Sequence, residues 1–235
     1  MTEPSPASGP MTSPLPWRRS LVLLAVLLLV SALLVGALGL AVRGGADPIA
    51  LIAWLAPGHA LVMLGAIALL LRRWHVGFAD LGFRPPTARL IHLLWQVPLM
   101  VVVVVAVAAV SASVIGTAEQ TQGVDLVLRD GATSLVPVLA VGVVVLVPVW
   151  EEAVFRGVIG GGLARRFPVW VAVVGSSVLF AGAHAVPLLL PYLFTAGLCL
   201  ALIARFHRTL WASVVAHGSL NALVLLVTLQ AVTGR

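Results

Sequence analysis

Residues 21–42 run for 22 positions without a charged side chain, and six further apolar runs follow at 49–71, 90–115, 135–160, 169–185, 188–204 and 210–232. Each holds about 17 to 26 residues, enough for an α-helix to cross roughly 30 Å of hydrocarbon at 1.5 Å per residue, the two shortest only just. None alternates apolar and polar residues over ten positions, as a membrane strand would. A backbone in lipid must satisfy its own hydrogen bonds, so the pattern predicts an all-α, polytopic membrane helix bundle of about seven transmembrane helices. Composition agrees, with 61% of the 235 residues hydrophobic and 9% charged. A soluble core of this size could not hide that much apolar surface.

The 14 basic residues are all arginine and are unevenly placed. Arg18 and Arg19, Arg72, Arg73, Arg84 and Arg89, Arg165 and Arg166, and Arg205 and Arg208 all fall in segments on one side of a seven-span chain, whereas the other side carries Arg43, Arg129 and Arg235 beside Asp47, Glu119, Asp125 and Asp130. The positive-inside rule then predicts a cytoplasmic N-terminus. The net charge of +6 reflects this topology and anionic lipid neighbours, not a nucleic-acid partner. The Arg-only, Ala- and Val-rich composition points to a bacterial host and a multi-pass protein of its cytoplasmic (plasma) membrane.

Residues 1–16, rich in Pro, Ser and Thr, read as a disordered cytoplasmic tail, and residues 17–235 as a single transmembrane domain. The first span exceeds a signal-peptide core and reads as a retained anchor. Cys199 stands alone, so no intramolecular disulfide forms.

The chemistry is concentrated in residues 135–232. Glu151 and Glu152 lie inside the fourth apolar run, with Arg156 one turn later. A charge near mid-bilayer costs roughly 2.5 to 3.5 kcal/mol on insertion scales, so the pair marks a functional site by default. The fifth run ends Phe180-Ala-Gly-Ala-His184, and the seventh holds His217-Gly-Ser-Leu-Asn221, whose His and Asn share one helix face. Counting from the arginines at 1.5 Å per residue puts Glu151, His184, His217 and Asn221 at overlapping depths of about 13 to 27 Å. Pro148, three residues before Glu151, predicts a kink that opens the bundle there.

Taken in order, Glu-Glu-x-x-x-Arg, Phe-x-x-x-His and His-x-x-x-Asn over Pro148 to Asn221 resemble the CPBP family. These are the CAAX-protease and bacteriocin-processing (Abi) proteins, which include the Rce1 type of prenyl-protein endopeptidase. Phe78-Ala-Asp-Leu-Gly-Phe-Arg84 resembles a segment found upstream in such proteins. The resemblance implies an intramembrane endopeptidase acting on a membrane-associated or lipidated protein or peptide. Glu151 would be its general base, with His184 polarising the water, and His217 with Asn221 would form the oxyanion hole. Glu152 would be a positioning partner held by Arg156, or would share the water. The family often has eight helices, one more than the seven counted here.

Other readings stay open at this level. Glu151, His184 and His217 also make a plausible Zn²⁺ ligand set, although the His-Glu-x-x-His spacing is absent and metal-independent glutamate chemistry is preferred. A Glu–Arg pair or an interhelical His–Asn pair can be structural glue, which would leave a non-proteolytic scaffold or immunity-type protein. A proton-coupled transporter could use intramembrane Glu and His, but no internal repeat supports one. His59, His75, His92 and His207 read as ordinary hydrogen-bonded histidines.

Overall fold

The computed structural model describes residues 12–116, 126–127 and 133–233. Its helices are α1 (Trp17–Arg43), α2 (Pro48–Arg73), the single turn α3 (Phe78–Leu81), α4 (Leu93–Ile115), α5 (Val136–Ala164), α6 (Val169–Ala183), α7 (Leu190–His207) and α8 (Leu210–Thr233). Among the described residues there is no strand, and six helices are long and apolar enough to cross a membrane. The chain is a multi-pass membrane protein. Lipid is the solvent its surface suits: Leu28, Leu40, Leu94 and Val114 point outward, and the buried side chains form an inner core.

All seven apolar runs emerge as helix. The fifth is shorter than the span predicted for it, because α6 stops at Ala183 after 15 residues, about 22 Å of rise, which is less than the hydrocarbon thickness. The chain turns there through Ala185 in the left-handed region (φ 52°), and Pro187 opens the short 3₁₀ turn that leads into α7. Irregular backbone is thus left short of the full membrane width, an arrangement tolerated where it borders protein or a cavity.

At the centre α7 packs against α6, α4 and α8, while α5 is held between α2, α6 and α8. One core joins Leu23 and Leu27 of α1, Met63 and Ile67 of α2, Phe155 of α5, Phe180 of α6 and Leu210 of α8. Close approach is purchased with glycine. A Cβ on Gly142 of α5 would sit 2.6 Å from Pro57 of α2, and one on Gly218 of α8 would sit 2.5 Å from the Val144 carbonyl oxygen of α5.

The arginine-bearing segments come to one end, as the charge pattern predicts. Arg165 Nη1 donates to the carbonyls of Ser13 and Leu15, Arg19 lies over Trp74, Arg89 Nη1 donates to Phe206 O, and Leu210 N donates to Gly82 O. Residues 1–11 of the expected tail, and Glu119, Asp125, Arg129, Asp130 and Arg235 of the charge argument, lie outside the described residues. Ser13 and Leu15, assigned above to the tail, are buried: Leu15 joins the core and Ser13 lies against Gly161. An apolar Leu next to an apolar bundle gains by burial whatever the Pro and Ser around it.

α5 is not a uniform α-helix. Val141–Leu146 and Ala153–Gly160 are π-helical, and Val147–Glu152 between them is a short α-helical stretch. π-turns cluster at functional sites. Here the two flank the only adjacent carboxylates in the chain.

Candidate active site

Pro148 explains part of that distortion and the position of Asn221. In the first π-turn the Val147 N–H bonds back five residues to Gly142 O. The next bond in that series would run from residue 148 to Val143 O, but proline has no N–H. Asn221 Nδ2 donates to Val143 O instead, at 2.8 Å. Gly218, three residues earlier on α8, brings that helix against Val144 O, so α8 docks next to the carbonyl that Pro148 leaves without a helical donor.

The same docking carries His217 of α8 to the carboxylates. Arg156 Nη1 donates to Glu152 Oε1 at 2.9 Å, Nη2 donates to Gly197 O at 3.1 Å, and its guanidinium lies 4.5 Å from the Phe180 ring centre. Glu152, so paired, is an acceptor. His217 Nδ1, 3.1 Å from the same Oε1, therefore donates to it, which leaves Nε2 as the open ring nitrogen. Nε2 faces Glu151 Oε2 at 3.7 Å, too far for a direct hydrogen bond. Glu151, Glu152, Arg156 and His217 are all buried, Glu152 completely. Within the cluster Glu152 Oε1 takes two side-chain hydrogen bonds and Glu151 takes none, while Oε2 of each carboxylate is without a hydrogen-bond partner. The two adjacent carboxylates are thus chemically different.

His184 stands differently from its expected place. It caps the C-terminus of α6 and is exposed, with Nδ1 2.8 Å from Phe180 O, and no hydrogen bond or ion pair joins it to Glu151. His184 is close enough to Glu151 to interact with its charge through space, and the Phe180 ring lies 4.8 Å from His184 and 5.7 Å from His217 in edge-on geometry. Asn221 likewise spends one amide hydrogen on Val143 O and keeps the other. Among the described residues no group of three His, Cys, Asp or Glu side chains is placed to hold a metal ion.

Three participants are absent from the sequence-based candidates. Phe180 is the ring on which Arg156, His184 and His217 converge, and its place in Phe-x-x-x-His was the available signal. Gly197 O and Val143 O are backbone acceptors, which carry no side-chain signature. Of the other histidines, His59 bonds Ser31 Oγ at 3.0 Å and His92 Nδ1 accepts from Trp95 at 3.1 Å.

The stretch that builds this cluster can be compared with known families. Residues 133–223 match the Rce1-like family, type II CAAX prenyl endopeptidase. The match spans less than half of the chain but contains all six candidate residues and the whole of α5, α6 and α7. It is the family the motifs resemble. No curated protein and no solved structure matches the chain.

Proposed function

We propose that this protein is an intramembrane endopeptidase that hydrolyses a peptide bond in a membrane-associated or lipidated protein or peptide, with Glu151 as general base. The observation that carries this reading is His217 held between two unlike carboxylates, its Nδ1 3.1 Å from Glu152 and its Nε2 3.7 Å from Glu151. One water can hydrogen-bond to both Nε2 and Glu151 Oε2 at that separation. Glu151 takes a proton from this water as its oxygen attacks the scissile carbonyl carbon, and later passes the proton to the leaving amine. Glu152 fixes the tautomer and angle of His217, and Arg156 keeps Glu152 ionised. Such an orienting carboxylate acts on the imidazole without reaching the substrate.

The developing oxyanion needs donors aimed at it in a site shielded from bulk water. The second amide hydrogen of Asn221 and the exposed ring of His184 are the candidates for that role. A substrate reaching them at the short end of α6 would enter from the membrane side, which fits a lipidated or membrane-anchored segment. Prenylated CAAX proteins are the substrates implied by the family's description.

The test is cleavage of a quenched peptide library, lipidated peptides included, by the detergent-purified protein, with Glu151→Gln and a zinc chelator run in parallel. Cleavage lost in the variant and spared by chelator is the expected result. Chelator sensitivity would refute the metal-free route, and a folded wild type that cleaves nothing would favour a scaffold role.

A further inference from the structure

At the arginine-rich end, a cavity of about 320 Å³ is lined by Arg84, Thr87, Arg89, His207 and Arg208, with no carboxylate among the lining residues. It lies between the loop after α3, the turn leading into α4 and the junction of α7 with α8, remote in sequence from Glu151. The loop that presents Arg84 is pinned in place, because Thr209 Oγ1 donates to Arg84 O at 2.7 Å and Leu210 N donates to Gly82 O. Arg89 Nη1 spends one hydrogen on Phe206 O and keeps the rest of its fork. Arg84 Nη1 is a buried donor in the lining with no partner, whereas His207, only 3% exposed, donates from Nε2 to Gln96 Oε1 at 2.7 Å and so offers an anion no donor from Nδ1. Asp80, the nearest acid in sequence, caps the Gly77 N–H instead.

Three guanidinium groups around one concavity repel one another unless an anion enters. The guanidinium fork matches the paired oxygens of phosphate, and the surroundings say where that phosphate comes from. The cavity opens where helix ends meet, beside the exposed Trp95 of α4 and Trp211 of α8, the residues that mark headgroup depth. We propose that it binds the phosphodiester of an anionic lipid headgroup. This would give a role to the Phe78–Arg84 segment that the catalytic cluster does not use, and would tie the ends of α4, α7 and α8 to one leaflet.

The experiment is native mass spectrometry of the full chain in neutral detergent, titrated with phosphatidylglycerol or phosphatidylcholine, with thermal unfolding in inorganic phosphate as a third arm. Wild type should retain phosphatidylglycerol at least fivefold better than phosphatidylcholine. Arg89→Gln, an exposed site that should fold normally, should reduce that preference severalfold, and Arg84→Gln with Arg89→Gln should abolish it. Arg72→Gln with Arg73→Gln, exposed at the same end but outside the cavity, should leave it intact. Equal loss in that control pair would overturn the proposal in favour of diffuse charge attraction, and so would a wild type that does not distinguish the lipids. Arg89-dependent stabilisation by inorganic phosphate as strong as that by lipid would overturn the lipid assignment in favour of a soluble phosphate. None of these readouts depends on proteolysis.

Discussion

Replacing Asn221 by Ala should expose a debt that Pro148 creates. The substitution removes the donor at 2.8 Å from Val143 O, and the residue that would serve that carbonyl in the π-turn is a proline. Leaving a buried carbonyl unpaired costs about 1–3 kcal/mol in a protein interior, whereas interhelical hydrogen bonds in membrane bundles average about 0.6 and reach about 1.7. Asn221→Ala should therefore lower stability by about 1–2 kcal/mol. In a Pro148→Ala background the restored N–H can turn back to Val143 or Val144, so the same substitution should cost only a few tenths. The predicted coupling is about 1 kcal/mol, within the range that double-mutant cycles resolve. Unfolding of the four purified proteins by SDS titration in mixed micelles, followed by tryptophan fluorescence, measures it. Additive costs would refute the account, because they would mean that Asn221 is not compensating for the proline.

Four other variants separate the roles in the cluster. Glu151→Gln should lower peptide cleavage by about 10²- to 10⁴-fold while leaving the unfolding midpoint unchanged or raised, since it removes a buried carboxylate oxygen that lacks a partner; a stability loss as large as the activity loss would point to a structural carboxylate. Glu152→Ala should do the reverse and cost about 3–5 kcal/mol, because Arg156 is left charged and buried, and Glu152→Gln with Arg156→Met should recover much of that stability without activity, as read from unfolding and cleavage of both variants. Gly218→Ala puts a methyl group 2.5 Å from Val144 O, a backbone atom that cannot swing away, so it should cost about 1–3 kcal/mol and lower activity by moving His217 off Glu152.

The sequence discloses the helices better than their rotations. Lipid imposes a length and apolarity requirement on each spanning segment, so α1, α2, α4, α5, α7 and α8 could be located from hydrophobic runs alone. The Glu152–Arg156 pair was equally legible, since it needs only one helical turn. What could not be read is which histidine meets Glu151. His184 and His217 have overlapping depths on a linear count, and the choice between them depends on how α6 and α8 turn about their axes. That is settled by contacts such as Gly218 on Val144, which leave no periodic trace. The π-turns were hidden for a related reason: α5 is as apolar around Val141–Leu146 as any α-helix, and the irregularity follows from Gly142 pressing on Pro57 and from a missing N–H whose replacement comes from 78 residues away. The early end of α6 escaped notice because its hydrophobic run continues to Ala185, past the point where the backbone turns.

These features together account for two adjacent carboxylates with opposite tasks. In a regular helix neighbouring residues differ in direction by roughly a quarter turn, so packing can satisfy one and leave the next short of partners. Glu152 receives both an arginine and a histidine on one oxygen, and those bonds offset part of the desolvation of a fully buried carboxylate whose Oε2 has no partner. Glu151 receives neither, and a histidine nitrogen that Glu152 has already oriented lies 3.7 Å away. A carboxylate held inside an apolar bundle without full compensation gains most from a water and a polar transition state placed next to it. The cost of holding Glu151 there is met by its neighbours: the Arg156–Glu152–His217 chain fixes the geometry, and Asn221 and Gly218 fix the helix that delivers the histidine.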